Sequence, residues 1–535
     1  MNNFKLNRSL KSFVLYFTSQ KKQNKPTPVP TAKTAKRSYS GARASRLESD
    51  WVVSSTSVDA ELQGALRRLR DRSREQIRNN DYVRGAVQTL VNNVVGNGIR
   101  FQANVGKGKG FSDRRNQIIE DKFAEWSKPK NCDIAEKLSW CQMQRLIFRS
   151  LVESGEVFIR KHYPRRPGVP FCLEIIESDR IEDNYGYSPQ SSPTGNLVKM
   201  GIELDKYGKA LFYYLRPFHP GDLMFHPRST ANIGPYGLER VPADQMIHLF
   251  ISDRPGQTRG IPWVSSSLQR IRNLNGYEEA ELIAARASAS VMGFRVTKDV
   301  DLLERDEAGN PIDSLEPGTI KELAPGEEFV GFDPSRPNDA FEPFVHMMLR
   351  GLAANLGIDF ESISRDYSQS NYSSSRLALL QVRDTYQHLQ KWFIEYFLQP
   401  VFDEWLNTAI LSGELKFSDY ELNPDRYRNV RWRPRGWTWV DPYKETQASI
   451  AAIGAGLSTL TSELAKQGLD VEEVMMERAA ELQLAEDLGL IPPAEEELED
   501  DSEEVREFAS PQEFNQFLKE IMQKGMEDDD DPNWD

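Results

Sequence analysis

Six histidines (His162, His219, His226, His248, His346 and His388) and three cysteines (Cys132, Cys141 and Cys172) are the residues best suited to hold a metal or attack a substrate. Their spacing supports neither chemistry. No two histidines stand four apart, as a helical zinc site requires, and no Cys-x-x-Cys occurs. His219 and His226 are seven apart in a Pro-rich loop and read as ordinary loop residues. Gly106-Lys107-Gly108-Lys109-Gly110 lacks the spacing and the Lys-Ser/Thr pair of a phosphate loop, and reads as a flexible basic turn. Gly96-Asn97-Gly98 lacks a third glycine and follows a helical pattern, so it is no dinucleotide fingerprint. No Gly-x-Ser-x-Gly elbow is present. Glu278, Glu279 and Glu281 share a helix with Arg286 and read as a solvated or intersubunit face. No catalytic residue, metal site or cofactor is assigned. For a chain of 535 residues, that points to a structural or binding role and not to an enzyme.

Size and charge narrow the class. At roughly 100–200 residues per domain, three or so modules are expected. The cysteines are too few for a disulfide framework and fit a reducing compartment. The apolar run from Phe13 to Phe17 is too short for a signal-peptide core. No stretch approaches the roughly 18 apolar residues of a membrane helix, so a soluble, non-secreted protein is expected. Residues 1–50 hold eleven Lys/Arg and two Asp/Glu, a charge of +9. Residues 494–535 hold three Lys/Arg and seventeen Asp/Glu, a charge of −14. With −13 overall, the middle carries −8, which argues against a sequence-specific DNA binder with a folded basic face. Both tails read as solvated and flexible, or else as segments that meet a partner of opposite sign.

The elements between the tails change period twice. Leu62, Leu66, Leu69 and Ile77 recur at helical spacing, and Asn79-Asn80-Asp81 ends that run. A second helix is predicted over Tyr82 to Val95, stopped by Gly96, with others over 113–127 and 139–153. Val157–Ile159, Leu173–Ile176, Ile202–Leu204 and Phe212–Leu215 are strand-like, with Asp205–Gly208 as a hairpin turn. Pro262 is expected to open a long helix reaching about Val291. Residues 298–340 turn to short strands, prolines and acids, with twelve Asp/Glu against four Lys/Arg. A helix is predicted over 341–356, then a polar loop from Ile358 to Asn371 with little to build a core. A helix of nearly forty residues, Tyr372 to Leu411, follows. Its apolar face runs through Val382, Tyr386, Leu389, Phe393 and Phe397, and Pro400 inside it predicts a kink. The part over 442–490 reads as helical.

Two helices flanking a strand-rich insertion, then a loop and a long kinked helix, is an unusual order. It resembles the lambda-type portal proteins of tailed bacteriophages. The segments that carry the likeness are Arg78–Tyr82 with Gly85–Val87, Leu90–Gly96, Glu153–Phe158, Glu177–Ile181 and Gly201–Asp205. With them go His219–Asp222, Arg254–Gly260, Tyr372–Arg376, and Trp439–Pro442 with Lys444-Glu445. The likeness spans about residues 45–490 and rests on the ordered set.

The resemblance implies an α+β portal fold assembled as a ring. Residues 1–49 are then a basic arm and 50–261 a mixed α/β wing. The first stem helix is 262–297, the clip 298–340, the second stem helix 341–357 and the channel loop 358–371. The kinked helix is 372–411, the wing–crown connection 412–441, the helical crown 442–490 and the acidic tail 491–535. It also implies a homododecamer at one capsid vertex of the virion, assembled in the host cytoplasm and threaded by double-stranded DNA without sequence specificity. The implied partners are the large terminase subunit, head–tail connector proteins, scaffold and the major capsid protein. Asp301, Glu304, Asp306 and Glu307 become the terminase or connector dock on the clip. Asp359, Glu361, Arg365, Asp366, Ser368, Gln369, Ser370 and Asn371 become the channel loop. A conduit must not grip DNA, and every phosphate neutralised by Lys or Arg adds affinity; the acidic clip and loop suit that need, although such charges also occur on ordinary surfaces. The competing readings are a DNA-processing enzyme with an atypical site and a general nucleic-acid-binding assembly factor.

Overall fold

The computed structural model describes residues 55–105, 114–186, 192–222, 237–290, 293–297, 327–331, 340–368, 371–437, 442–469 and 471–488. The first helical run is two helices, α1 (Val58–Leu62) and α2 (Leu66–Asn79). Gly64 between them has φ +77°, a left-handed backbone that costs glycine little and interrupts the helix. The Asn80 side chain accepts the Val83 N–H and caps α3 (Asp81–Val94). Strand β1 (Arg100–Ala103), α4 (Arg114–Trp126) and α5 (Pro129–Cys132) follow. Helix α6 (Trp140–Ser154) begins at a Ser139/Gln142 capping box and ends on Gly155 in the left-handed region.

Next comes the strand-rich part: β2 (Glu156–His162), β3 (Cys172–Ile176), β4 (Leu197–Lys199), β5 (Ile202–Leu204), β6 (Ala210–Leu215), β7 (Glu239–Pro242) and β8 (Met246–Phe250). They form two antiparallel sheets, ordered β3-β2-β8 and β4-β5-β6-β7. The expected turn joins β5 to β6, where Asp205 Oδ1 accepts the Tyr207 and Lys209 N–H groups at 2.8 Å each. Phe158, Ile176, Ile202, Tyr213 and Val241 from both sheets share one small core.

Pro262 does not open the long helix. It sits in the loop before a short 3₁₀ turn, and α7 starts at Leu268 and runs to Ser290. β9 (Gly293–Thr297) and β10 (Glu327–Gly331) pair antiparallel and separate α7 from α8 (Phe341–Leu356). Then come α9 (Phe360–Ser364) and α10 (Tyr372–Phe393). A π turn, Ile394–Leu398, joins α10 to α11 (Gln399–Leu411), with the Gln399 N–H donating to the Ile394 carbonyl. Pro400, marked by the sequence as a kink, thus lies just after a local change of helical period. A proline at this point has no N–H to offer Tyr396, which favours such a bulge.

The segment after α11 is more than a connection. α12 (Pro424–Arg428) leads into β11 (Val430–Arg433), which pairs antiparallel with β1, Arg100 opposite Arg433. The last described elements are α13 (Pro442–Gly454), α14 (Leu460–Lys466) and α15 (Val471–Asp487). The main core draws on α3, α6, α8, α10 and α11. Its centre is an aromatic cluster in which Phe123 meets Phe101, Trp126, Trp140, Phe402 and Trp405 with centroids 4.8 to 6.1 Å apart. Offset and edge-on aromatic pairs add about 0.5–1.5 kcal/mol each beyond burial.

Candidate functional site

The segment read as a polar loop is anchored. Asp359 is not a free charge: its carboxylate accepts the Ser362 N–H at 2.8 Å and the Ser362 hydroxyl at 2.7 Å, capping α9. Ile358 and Ile363 are buried in the main core, where α9 packs on α3, so the expectation of a segment with little core is corrected. Two isoleucines at a five-residue spacing are too sparse to register as a periodic pattern. Arg365 takes φ +58° and donates to Thr89 Oγ1 at 3.2 Å. Asp366 accepts the Ser368 N–H at 2.9 Å and lies 3.8 Å from His346. Arg365, Ser368 and Asn371 are exposed, while Glu361 and Asp366 are half-buried. Gln369, Ser370 and the acids Asp301, Glu304, Asp306 and Glu307 lie outside the described residues.

Sequence reasoning missed a buried charge cluster where α2, the start of β2 and the loop 251–262 converge. Arg70, Glu156 and Arg259 all have fully buried side chains. The Glu156 carboxylate accepts from Arg259 Nε at 2.9 Å and Nη2 at 2.6 Å, Arg70 Nη1 at 3.3 Å, His248 Nε2 at 3.0 Å and the Gly260 N–H at 3.0 Å. Arg259 Nη1 also donates to Asp183 at 2.9 Å and to the Met200 carbonyl at 2.7 Å. Arg70 pairs with Asp183 and, at 3.4 Å, with Asp179, which also pairs with Arg74. Burial alone would raise the Glu156 carboxyl pKa. The Arg259 charge and the His248 hydrogen bond outweigh it and hold that carboxyl well below the usual range. His248 is held below the ordinary histidine value by burial, despite Glu156 beside it.

Two glycines make this convergence possible. A Cβ on Gly155 would sit 2.1 Å from the Ile261 carbonyl carbon, and one on Gly260 would sit 2.1 Å from the Gly155 oxygen. The loop therefore crosses the end of α6 at backbone contact and delivers Arg259 to Glu156. Buried Asp59 of α1 holds the same loop through the Thr258 N–H at 2.9 Å and the Thr258 hydroxyl at 2.8 Å. The sequence signals were faint: an acid at the head of the apolar strand Glu156–Ile159, and one arginine in Gly256–Gly260. The arrangement clamps three segments together. Its central charges are sealed from solvent, so it offers a reactant no entry.

The face of the α7–α8 pair is unlike the clamp. Tyr277 stacks on Phe341 at 5.6 Å and meets Phe344 edge-on at 4.7 Å, which joins the two helices. Leu282, Ile283 and Met347 are nonetheless 51, 58 and 68% exposed. Among the described residues, no helix is long and apolar enough to cross a membrane, and no His/Cys/Asp/Glu group could hold a metal.

Residues 44–390 match the family model described as "Phage portal protein, lambda family". The chain belongs to that family. This portal chain is 30% identical over 480 residues to the "Probable portal protein" of Halomonas phage phiHAP-1, covering 87% of this chain and 90% of the relative. It is 25% identical over 511 residues to "Portal protein B" of Escherichia phage lambda, covering 87% and 93% of the two chains. Among solved structures, a chain from the neck of an empty GTA particle, computed with C6 symmetry, aligns with a TM-score of 0.43 and 13% identity. That alignment covers 76% of the portal chain and 94% of the other. The portal chain is a phage structural protein, and its mixed helix-and-strand architecture is the one described above.

Proposed function

We propose that twelve copies of this chain form a closed ring at one capsid vertex, through which double-stranded DNA passes during packaging and ejection. The observation that carries the assembly reading is the exposed apolar surface of the helices assigned to the stem: Leu282, Ile283 and Met347 beside the aromatic contact of Tyr277. Large apolar side chains on paired helices call for cover, and a second copy of the same face supplies it in a cyclic assembly. In this reading residues 50–261 are the wing, α7 and α8 the stem, 298–340 the clip, 358–371 the channel loop and 442–490 the crown. The ring is a passive conduit with no catalytic role. Its clip receives the large terminase subunit and later the head–tail connector proteins, and scaffold and major capsid protein gather round it as assembly begins in the host cytoplasm.

Mass photometry and negative-stain imaging of the purified chain test the assembly. Closed cyclic particles are expected, and Ile283→Glu with Met347→Glu should release monomers that keep their helical content. A wild-type chain that stays monomeric over a wide concentration range, with scaffold present, overturns the proposal.

A further inference from the structure

A cleft of about 630 Å³ lies beside the β1–β11 ribbon. The turn after α3, Gly96–Gly98, walls one side, and Gln467-Gly468 after α14 wall another. Arg100, Arg145, Arg433 and Arg435 line it, and Glu120 is the one acid among its described lining residues. Glu120 Oε1 is itself engaged by the Ala103 N–H at 2.7 Å. Arg145 donates to Asn92 Oδ1 at 2.9 Å and to the Gly96 carbonyl, and Arg435 donates to the Asn92 carbonyl. Those acceptors are neutral, so they satisfy hydrogen bonds without offsetting charge. Arg100 also stands directly across from Arg433 in the strand register.

We propose that this cleft is the docking site of the acidic segment 495–507 of this chain. The segment carries nine Asp/Glu against the single Arg506. A cleft of this volume can take a short stretch of chain. The segment is also within reach. α15 starts three residues beyond Gly468 and, with 17 residues, is about 25 Å long. The seven residues from 488 to Glu495 can span up to roughly 25 Å when extended, the length of α15, so the first acids of the segment can return to the cleft. A tethered partner competes at an effective concentration in the millimolar range, which no free polyanion at lower concentration matches. Each arginine–carboxylate contact is weak alone, but several held by one tether act together. The inference does not depend on ring formation.

The test uses the full chain and a glutamate-specific protease, following cleavage within 495–507. A synthetic peptide of the same residues corrects for salt effects on the protease. At low salt the segment in the wild-type chain should be cut about tenfold more slowly than the peptide, and at high salt at nearly the peptide's rate. Arg100→Gln with Arg435→Gln should abolish the protection. Glu495→Gln, Glu496→Gln and Glu497→Gln should do the same with the arginines left in place, with Glu503, Glu504 and Glu507 as reporters. Protection that survives the arginine variants overturns the proposal, as does protection that vanishes only when residues 1–50 are removed. Tight binding of a short duplex oligonucleotide to the wild-type chain, lost with Arg100→Gln, would make the cleft a nucleic-acid surface instead.

Discussion

Replacing Glu156 by glutamine changes little in shape and removes the anion at the centre of the buried cluster. The carboxylate takes five donors, from Arg259 Nε and Nη2, Arg70, His248 and the Gly260 N–H. Glutamine offers one acceptor oxygen and turns an amide donor toward guanidinium groups, leaving Arg70 and Arg259 with only Asp179 and Asp183 as counter-charges. Removing one partner of a buried pair costs about 3–5 kcal/mol, against about 0–1 kcal/mol for a solvent-facing pair. At about 2–4 °C per kcal/mol in a domain of 150–250 residues, Glu156→Gln should lower the Tm by about 6–20 °C. Scanning calorimetry reads the change directly. Glu239→Gln is the control, since Glu239 pairs with Arg160 at 2.6 Å but is 46% exposed. A fall of less than about 3 °C for Glu156→Gln, or one equal to the control, refutes the view that the sealed charges act as a clamp.

The same cluster makes stability depend on pH. His248 is held low in the folded chain, so the unfolded chain binds its proton first and stability drains as pH falls below roughly 6.5. Glu156 is also lower folded than unfolded; its contribution is complete above roughly pH 4.3 and fades below it. In denaturant titrations His248→Gln should flatten the slope between pH 7 and 5, and an unchanged slope there would contradict the assignment. Pro400→Ala supplies an N–H that lets the Ile394–Leu398 turn tighten to the α period, rotating buried Phe397 and Phe402 against each other. A loss of ring yield exceeding that of typical point changes (about 1 kcal/mol) is expected, and normal rings would sink the idea. Reversing Asp301 and Glu304 to Lys should slow terminase association, most at low salt, with rings intact; salt-insensitive, unchanged binding excludes an electrostatic dock. Glu361→Lys with Asp366→Lys, which spares the Asp359 cap, should slow packaging at low salt, and wild-type velocity there would remove this segment from the constriction.

Local signals were legible and long-range ones were not. Asn80 before an apolar repeat, and Asp205 to Gly208 between alternating strands, carry their own hydrogen-bond chemistry and fold as the sequence predicts. Pro262 misled because a proline suits a first helical turn, yet the backbone contact of Gly155 with Ile261 holds that stretch in a loop. Arg70 falls on the face of Leu66 and Ile77 by helical spacing, but among Arg67, Arg68, Arg72 and Arg74 its charge reads as solvent-facing. Glu156, Asp179 and Asp183, all 86 or more positions away, make its burial tolerable. The pairing of β1 with β11 leaves no local trace, because each strand is four residues long and neither is strongly apolar.

That ribbon also sets a timetable. Its two strands are about 330 residues apart in the chain, and β1 leaves the ribosome before β11. At about 5–20 residues per second, β1 waits roughly 15–65 s for its partner to be made. Throughout that interval Phe101, which ends up against Phe123, Phe402 and Trp432, has only one of those three contacts already synthesised nearby. The body of the protein is therefore closed late and from the C-terminal side. A chain cut short before residue 430 leaves the edge of β1 unpaired and Phe101 without Phe402's neighbour Trp432.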